Sequence, residues 1–195
     1  MENQVQDWKK FSTEEIEILL PDTFIGGHPK KDKKRIETEI AKVPEKFQKL
    51  FQNYFKSGAK GFYTPLMAVD TKADESYDYL TVFSVNVEKL SLLKLGTSLE
   101  KYLDESIKQL GKNGKLVEKG LVNLQNYQAA RTVLHYMKNA GLFKKPTITL
   151  QIAVIYTIKV TSRIWNFFYF TTPARYEIES PIFEQSIDSV LIKSK

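Results

Sequence analysis

Histidine is the side chain best suited to proton transfer near neutral pH, and this sequence contains two, His28 and His135. A zinc site or a histidine base needs further ligands or a charge partner close by. The sequence has no HExxH or GxSxG motif, and without cysteine it has no thiolate ligand, disulfide or cysteine nucleophile. Folding could bring Asp70, Asp74 or Asp78 towards His135, although the sequence does not show that it does. We therefore expect a non-enzymatic protein with no catalytic residue, no metal site and no cofactor.

The sequence also lacks a recognisable phosphate-binding loop. Gly26 and Gly27 are adjacent, but a Walker loop has the pattern GxxxxGK[ST] and a Rossmann loop has GxGxxG after a strand. Neither pattern is present. We interpret Phe24–Pro29 as a plain loop in which the glycines allow positive φ.

The densest basic feature is a run of five cations: Lys30, Lys31, Lys33, Lys34 and Arg35. Cations at the start of a helix oppose the helix macrodipole, which is mildly unfavourable. This cost allows a contact site for an acidic partner, a phosphate or an anionic membrane, but a run of charges is usually a solvated surface, and that is the preferred interpretation. The formal net charge of +6 is moderate and is typical of a soluble protein.

Aromatic residues are concentrated in one short segment, at Trp165, Phe167, Phe168, Tyr169 and Phe170. A sheet that stacks nucleic-acid bases needs exposed aromatic rings with arginine or lysine between them. Arg163 is the only basic residue nearby, and we expect helices to cover the sheet. We therefore interpret these rings as core residues and find no specific signal for nucleic-acid binding.

Helical periodicity indicates four helices. They are predicted over Lys30–Val43, from Pro44 to residue 57, over Thr97–Leu110 and near the C-terminus. Thr97 and Glu100 fit a capping box. The inner face of the last helix is predicted to carry Ile182, Phe183, Ile187, Val190 and Leu191.

Alternating apolar residues predict seven strands. These cover Glu15–Leu20, Phe62–Asp70, Tyr79–Lys89, Leu116–Leu124, Gln128–Lys138, Thr147–Val160 and Arg163–Thr171. Residues 1–14 are polar and are predicted to form an irregular arm. Because short turns join consecutive strands, the pairing should be antiparallel. The predicted fold class is α+β, with a six- to seven-stranded antiparallel sheet flanked by helices in one domain of residues 1–195.

No segment predicts a membrane anchor or a secretory signal. Met1–Phe11 is polar, and the longest apolar run, Ile164–Phe170, is too short to span a bilayer. We expect a soluble, cytoplasmic protein, unless a targeting segment has been removed.

Two segments resemble the PsbP/Mog1-like family, and the resemblance extends over roughly residues 60–192. The first contains VNVEKLSLLKLGTSLEKYLDESIKQL followed by NYQAARTVLHYM. The second is FYFTTPARYEIESPIFEQSIDSVLI, where the pattern pxFexixxS is matched by Pro181, Phe183, Glu184, Ile187 and Ser189. The family usually has phenylalanine after this serine, whereas this chain has Val190.

The resemblance implies an antiparallel sheet between helices, arranged as a Mog1/PsbP-like sandwich. Relatives serve as photosystem II assembly or extrinsic subunits, or as a partner of the small GTPase Ran, and they supply no catalytic residues to transfer. The helical region 30–57 has no counterpart in the resemblance, so we expect it to be an addition.

We therefore expect an accessory or assembly protein that binds another protein through a surface groove or through the basic run. The identity of that partner and the oligomeric state are not predicted. The alternative is a small-molecule or lipid-binding domain, or an unrecognised hydrolase, with an aromatic pocket formed by His135, Tyr136 and Trp165. A deep pocket with converging polar groups and a shifted pKa would favour the alternative. A shallow apolar surface patch would favour the first interpretation.

Overall fold

A computed structural model of the chain describes residues 7–58, 63–72, 81–110, 114–140 and 147–193. These residues form ten strands, four α-helices and one short 3-10 turn. The strands are β1 Trp8–Ser12, β2 Ile16–Pro21, β3 Phe24–Gly27, β4 Tyr63–Asp70, β5 Val82–Lys89, β6 Gly114–Asn123, β7 Gln128–Ala140, β8 Thr147–Val160, β9 Arg163–Thr171 and β10 Leu191–Ile192. The helices are α1 Lys33–Ile40, α2 Glu45–Gly58, α3 Leu99–Leu110 and α4 Pro173–Asp188, and the turn is Leu92–Lys94.

Seven strands form one large antiparallel sheet in the order β3-β4-β5-β9-β8-β7-β6. Strand β9 is central in this sheet and lies between β5 and β8, as the apolar residues on both of its faces predict. A second sheet has three strands in the order β1-β2-β10. The predicted α+β class and the predicted sheet of six to seven antiparallel strands are confirmed.

One face of the large sheet, which we call the α4 face, packs against α4 and the three-stranded sheet. Trp165, Phe167 and Tyr169 point to this face from β9 and are almost completely buried. The Tyr169 ring stacks on Phe183 of α4, with 4.2 Å between the ring centroids. Full burial of each such ring stabilises the fold by roughly 1.5–3 kcal/mol.

The opposite face, which we call the α1–α3 face, is covered by the other three helices. Phe47, Phe51 and Phe55 recur every four residues on α2, so they share one side of the helix and pack on β4 and β5. Helix α3 places Tyr102 against Ile164 of β9. No helix in the described residues is long and apolar enough to cross a membrane.

Two terminal segments differ from the sequence-based expectation. The predicted irregular arm contains strand β1, which pairs with β2 because Phe11 alternates into the core. At the other end, Leu191 is 47% exposed and lies in β10 beyond the end of α4, so it does not belong to the helix face.

Two local predictions near glycine and threonine are also corrected. Phe24–Gly27 forms strand β3 at the edge of the large sheet, where a loop was expected. Helix α3 is capped by Ser98, because its Oγ accepts a hydrogen bond from the backbone N–H of Lys101 at 3.2 Å. A simple serine cap one residue later therefore replaces the predicted capping box of Thr97 and Glu100, since position N3 is Lys101.

Candidate functional site

The three residues predicted to form an aromatic pocket are separated by the sheet. His135 and Tyr136 are neighbours on β7, so their side chains lie on opposite faces. Tyr136 packs near Phe170 on the α1–α3 face, whereas Trp165 is buried on the α4 face. His135 and Trp165 share the α4 face, but their partners on β8, at 152 and 158, are six residues or about 20 Å apart. The structure does not bring these three side chains together.

His28 has a structural position at the start of α1. Its Nδ1 accepts hydrogen bonds from the backbone N–H groups of Lys30 and Lys31, at 3.2 and 3.3 Å. Its own backbone N–H donates to Asp32 Oδ2 at 2.8 Å. These bonds hold the turn that precedes α1. In the described part of the chain, no group of three potential metal ligands surrounds it or any other histidine.

The basic run divides into paired and unpaired cations. Lys31 Nζ lies 2.6 Å from Glu14 Oε2, and Lys33 Nζ lies 3.8 Å from Glu37 Oε1. Arg35 bonds the carbonyl oxygen of Gly26 at 2.8 Å and so ties α1 to β3; it also contacts Asp32 and Glu39. Lys30 and Lys34 form no ion pair with any described residue.

A groove of about 630 Å³ runs between α1 and α2. It is lined by Pro29, Lys30, Lys33, Ile36, Glu37, Ile40, Gln52, Phe55 and Lys56. Ile36 and Ile40 are one turn apart on α1, and they form the floor together with Phe55 of α2. Three lysines and a single glutamate stand around this apolar floor, so the α1–α2 groove combines apolar contact with positive potential.

A second depression, the α4 pocket, lies beside the first turns of α4 and has a volume of about 340 Å³. It is lined by Pro21, Thr23, Phe24, Asp70, Lys72, Thr81, Arg175, Ile178, Glu179, Ile182 and Phe183. One side contains buried charge. Arg175 Nη2 lies 2.7 Å from Asp70 Oδ2 and 2.5 Å from Glu179 Oε1.

Glu179 is held from three directions. Its carboxylate accepts hydrogen bonds from the hydroxyls of Thr81, at 2.9 Å, and Thr171, at 2.5 Å, in addition to its contact with Arg175. Burial raises the pKa of Glu179 above its ordinary range, and the threonines and the arginine oppose this shift only in part. The α4 pocket thus has the converging polar groups and the shifted pKa that favour a small-molecule site.

The α4 pocket was not found from the sequence, although a signal was present. Arg175, Glu179, Phe183 and Ile187 are spaced four residues apart, so they share one side of α4. Since Phe183 and Ile187 were predicted to face the core, the charged pair had to lie on the same buried side. In the α1–α2 groove, Lys30 and Lys33 were predicted as contact residues and Lys56 was not.

Ten strands in this order, with helices on both faces of a seven-stranded antiparallel sheet, define an α+β sandwich of the PsbP/Mog1-like fold. Solved structures that are similar to this chain include three proteins with separate roles. The Ran-binding protein Mog1p of Saccharomyces cerevisiae is 11% identical with a TM-score of 0.55, over 96% of each chain. LpqN of Mycobacterium tuberculosis, which is involved in cell envelope biogenesis, is 10% identical with a TM-score of 0.57, over 99% of this chain and 88% of its own.

The third is the cyanobacterial PsbP, or CyanoP, of Synechocystis, which is 10% identical with a TM-score of 0.51, over 99% of this chain and 96% of its own. No family model and no curated protein matches the sequence. At these identities the likeness shows the fold alone, and it confirms the fold that the sequence resemblance implied.

Proposed function

We propose that this protein is a non-enzymatic accessory protein that binds an acidic, amphipathic segment of another protein in the α1–α2 groove. The carrying observation is the combination of an apolar floor at Ile36, Ile40 and Phe55 with Lys30, Lys33 and Lys56 at its edges. The similarity in fold to Mog1p, which is described as Ran-binding, supports a protein partner for this chain. A cytoplasmic location is part of the proposal.

The two components of the α1–α2 groove have different roles in this proposal. Apolar side chains of the partner enter the groove and pack against its floor, where Ile36, Ile40 and Phe55 are 2%, 2% and 8% exposed, and each exposed ion pair adds only ~0.2–1 kcal/mol. The lysines select an acidic sequence and accelerate association. An amphipathic helix fits such a groove because its apolar residues recur every three or four positions on one side.

A designed peptide tests the groove directly. The probe is an amphipathic helix with leucines at i, i+4 and i+7 and with glutamates on both sides of that stripe; the matched probe has lysines in place of the glutamates. We expect the intact protein to bind the acidic probe in fluorescence anisotropy and not to bind the basic probe. Because exposed charges are screened, binding should weaken strongly between about 0.05 M and about 0.5 M salt.

Charge reversal of the groove lysines tests whether the acidic probe binds in the α1–α2 groove. Lys30→Glu, Lys33→Glu and Lys56→Glu together should abolish binding of the acidic probe. The matched control reverses Lys89, Lys101 and Lys108, which are also exposed and lie on β5 and α3. The control should retain binding, because its three lysines do not line the groove. It is a matched control, because both triple variants change the net charge equally. Equal loss in both variants, or preference for anionic lipid vesicles over the acidic probe, would contradict the proposal.

Partners from the native host can then be assigned by the same variants. Proteins captured by the intact chain should be lost from the groove variant and kept by the control variant, as measured by quantitative mass spectrometry. Cross-links from Lys30, Lys33 or Lys56 should fall in acidic segments of the captured protein.

A further inference from the structure

We propose that the α4 pocket binds a small carboxylic acid with a short apolar body. This site is separate from the α1–α2 groove, so its test is independent of the proposed function. The α4 pocket combines a small volume, unused hydrogen-bond donors and a partly exposed apolar wall.

The size of the α4 pocket suits a small ligand. Its volume of about 340 Å³ lies at the lower end of the range for small-molecule sites, which is roughly 300–1,000 Å³. One wall is apolar, with Phe24 and Phe183 at the back and Ile182 beside them. Ile178 continues this wall to the surface, where it is 73% exposed. An isoleucine that exposed beside a pocket provides a surface for the apolar body of a ligand.

Both carboxylates of the α4 pocket are already bonded within the protein. Glu179 accepts from Thr81 and Thr171 and contacts Arg175. Asp70 accepts from the backbone N–H of Lys72 at 2.9 Å through Oδ1, and from Arg175 through Oδ2. A cationic ligand would compete with Arg175 for these carboxylates.

The donors, in contrast, are only partly used. A guanidinium has five N–H donors. Among described residues, Nη2 of Arg175 contacts the carboxylates of Asp70 and Glu179, and Nη1 donates to the carbonyl oxygen of Lys72 at 3.0 Å. No described residue accepts a hydrogen bond from the Nε–H or from the second Nη1–H. The ammonium of Lys72 forms no ion pair within the described part of the chain. These spare donors favour an anionic ligand, and a carboxylate matches the planar guanidinium.

The two buried carboxylates hold Arg175 in place for such a ligand. The Arg175 side chain is 20% exposed, so it can meet a ligand while its inner nitrogen stays bonded to Asp70 and Glu179. A fixed arginine loses little rotamer freedom on binding, and this favours affinity for a small ligand.

Nuclear magnetic resonance of the full chain tests the proposal with hexanoate as the probe. We expect saturable shifts at the amides of Lys72, Arg175 and Ile178. Hexanol and hexylammonium have similar apolar bodies, and each should bind at least about tenfold more weakly, since a charged hydrogen bond contributes roughly 1.5–3 kcal/mol. Comparable affinity for hexylammonium would overturn the proposal, and so would the absence of saturation with hexanoate.

Two mild variants separate binding from folding, because both side chains are exposed. Lys72→Ala should weaken hexanoate severalfold and leave hexanol unchanged. Ile178→Ser should weaken hexanoate and hexanol alike. If both variants bind hexanoate with the affinity of the wild type, the chemical-shift changes arise from binding outside the α4 pocket, and the proposal is wrong.

Discussion

Glu179 is a carboxylate on the buried side of α4, and Asp70, Arg175, Thr81 and Thr171 are the polar groups around it. Its pKa is raised in the folded protein, so the folded state binds the proton of Glu179 more tightly than the unfolded chain does. The stabilisation from this proton is fully present below the unfolded pKa, and it is lost as the pH rises through the folded pKa. Glu179→Gln removes this titration while it keeps the size of the side chain.

The prediction concerns the difference in unfolding free energy between wild type and Glu179→Gln. We expect the unfolding free energy of the wild type minus that of Glu179→Gln to be largest at acidic pH and to decline towards neutral pH. The measurement is urea denaturation at a series of pH values. Glu177→Gln is the control, because Glu177 is exposed on the same helix. A difference for Glu179→Gln that does not change with pH would contradict the prediction.

Gly27 has a φ of +156°, a conformation that side chains rarely adopt. A Cβ at this position would lie 2.5 Å from Arg35 Nη2 and 2.5 Å from Asp32 Oδ2, the residues that join β3 to α1. We expect Gly27→Ala to destabilise the protein by roughly 1–3 kcal/mol, measured by chemical denaturation. Gly120→Ala is the matched control, since nothing lies within 4 Å of the added methyl group, and it should change stability much less.

At the scale of elements, Glu17 of β2 links β1 to the segment after β10 through two ion pairs. It pairs with Lys10 of β1 at 2.6 Å and with Lys193, beyond β10, at 3.0 Å. The hydrogen bonds from Lys10, Lys193 and Ser12 lower the pKa of Glu17 to about 2. A lowered pKa stabilises the fold above the unfolded pKa of 4.5, and this contribution is lost as the pH falls towards about 2.

Glu17→Gln should therefore loosen β1 at neutral pH and should differ less from the wild type at about pH 3. The measurement is hydrogen exchange at the β1 amides, compared with exchange at β9. Faster exchange in β1 with β9 unchanged is expected. Equal protection of β1 in both proteins at neutral pH would show that these ion pairs do not hold the strand.

Prediction from sequence succeeded where a pattern is long and local. The bounds of β8 and β9 agree with those predicted, because β8 alternates strictly over many residues and β9 is apolar on both faces. β3 was missed because its two glycines suggest a loop. They lie instead at a sheet edge where Gly26 packs too closely on the backbone of β4 for any side chain. Such close packing depends on a distant strand, and no local pattern indicates it.

The candidate sites show the same limit. The basic run was found because it is contiguous, but Lys56 and Phe55 join it only through packing of α2 on β4 and β5. Tyr136 and His135 do not line one aromatic pocket, because adjacent residues of a strand face opposite sides of the sheet. The network of Asp70, Arg175 and Glu179 joins residues that are up to 105 positions apart in the chain. The spacing of residues in one sequence does not indicate that such distant residues meet.

At the scale of the whole molecule, the two packed layers share the same central strands. β5 contributes Phe83 and Val85 to the α4 face and Val82 to the α1–α3 face. β9 contributes Phe167 to the first face and Phe170 to the second. Loss of the central strands would therefore unfold both layers together, and this makes the single-domain prediction testable.

Phe167→Ala tests that coupling. The ring is fully buried and lies 6.5 Å from the Phe83 ring, so its removal should cost roughly 3–5 kcal/mol. Hydrogen exchange should show that amides of β2 and of α2, which lie on opposite faces, lose the same free energy of protection. Phe51→Ala, in the α1–α3 layer, should lower protection of β2 as well if the chain is one cooperative unit. Protection of β2 that stays at the wild-type value in Phe51→Ala would show instead that the α1–α2 pair opens independently of the three-stranded sheet.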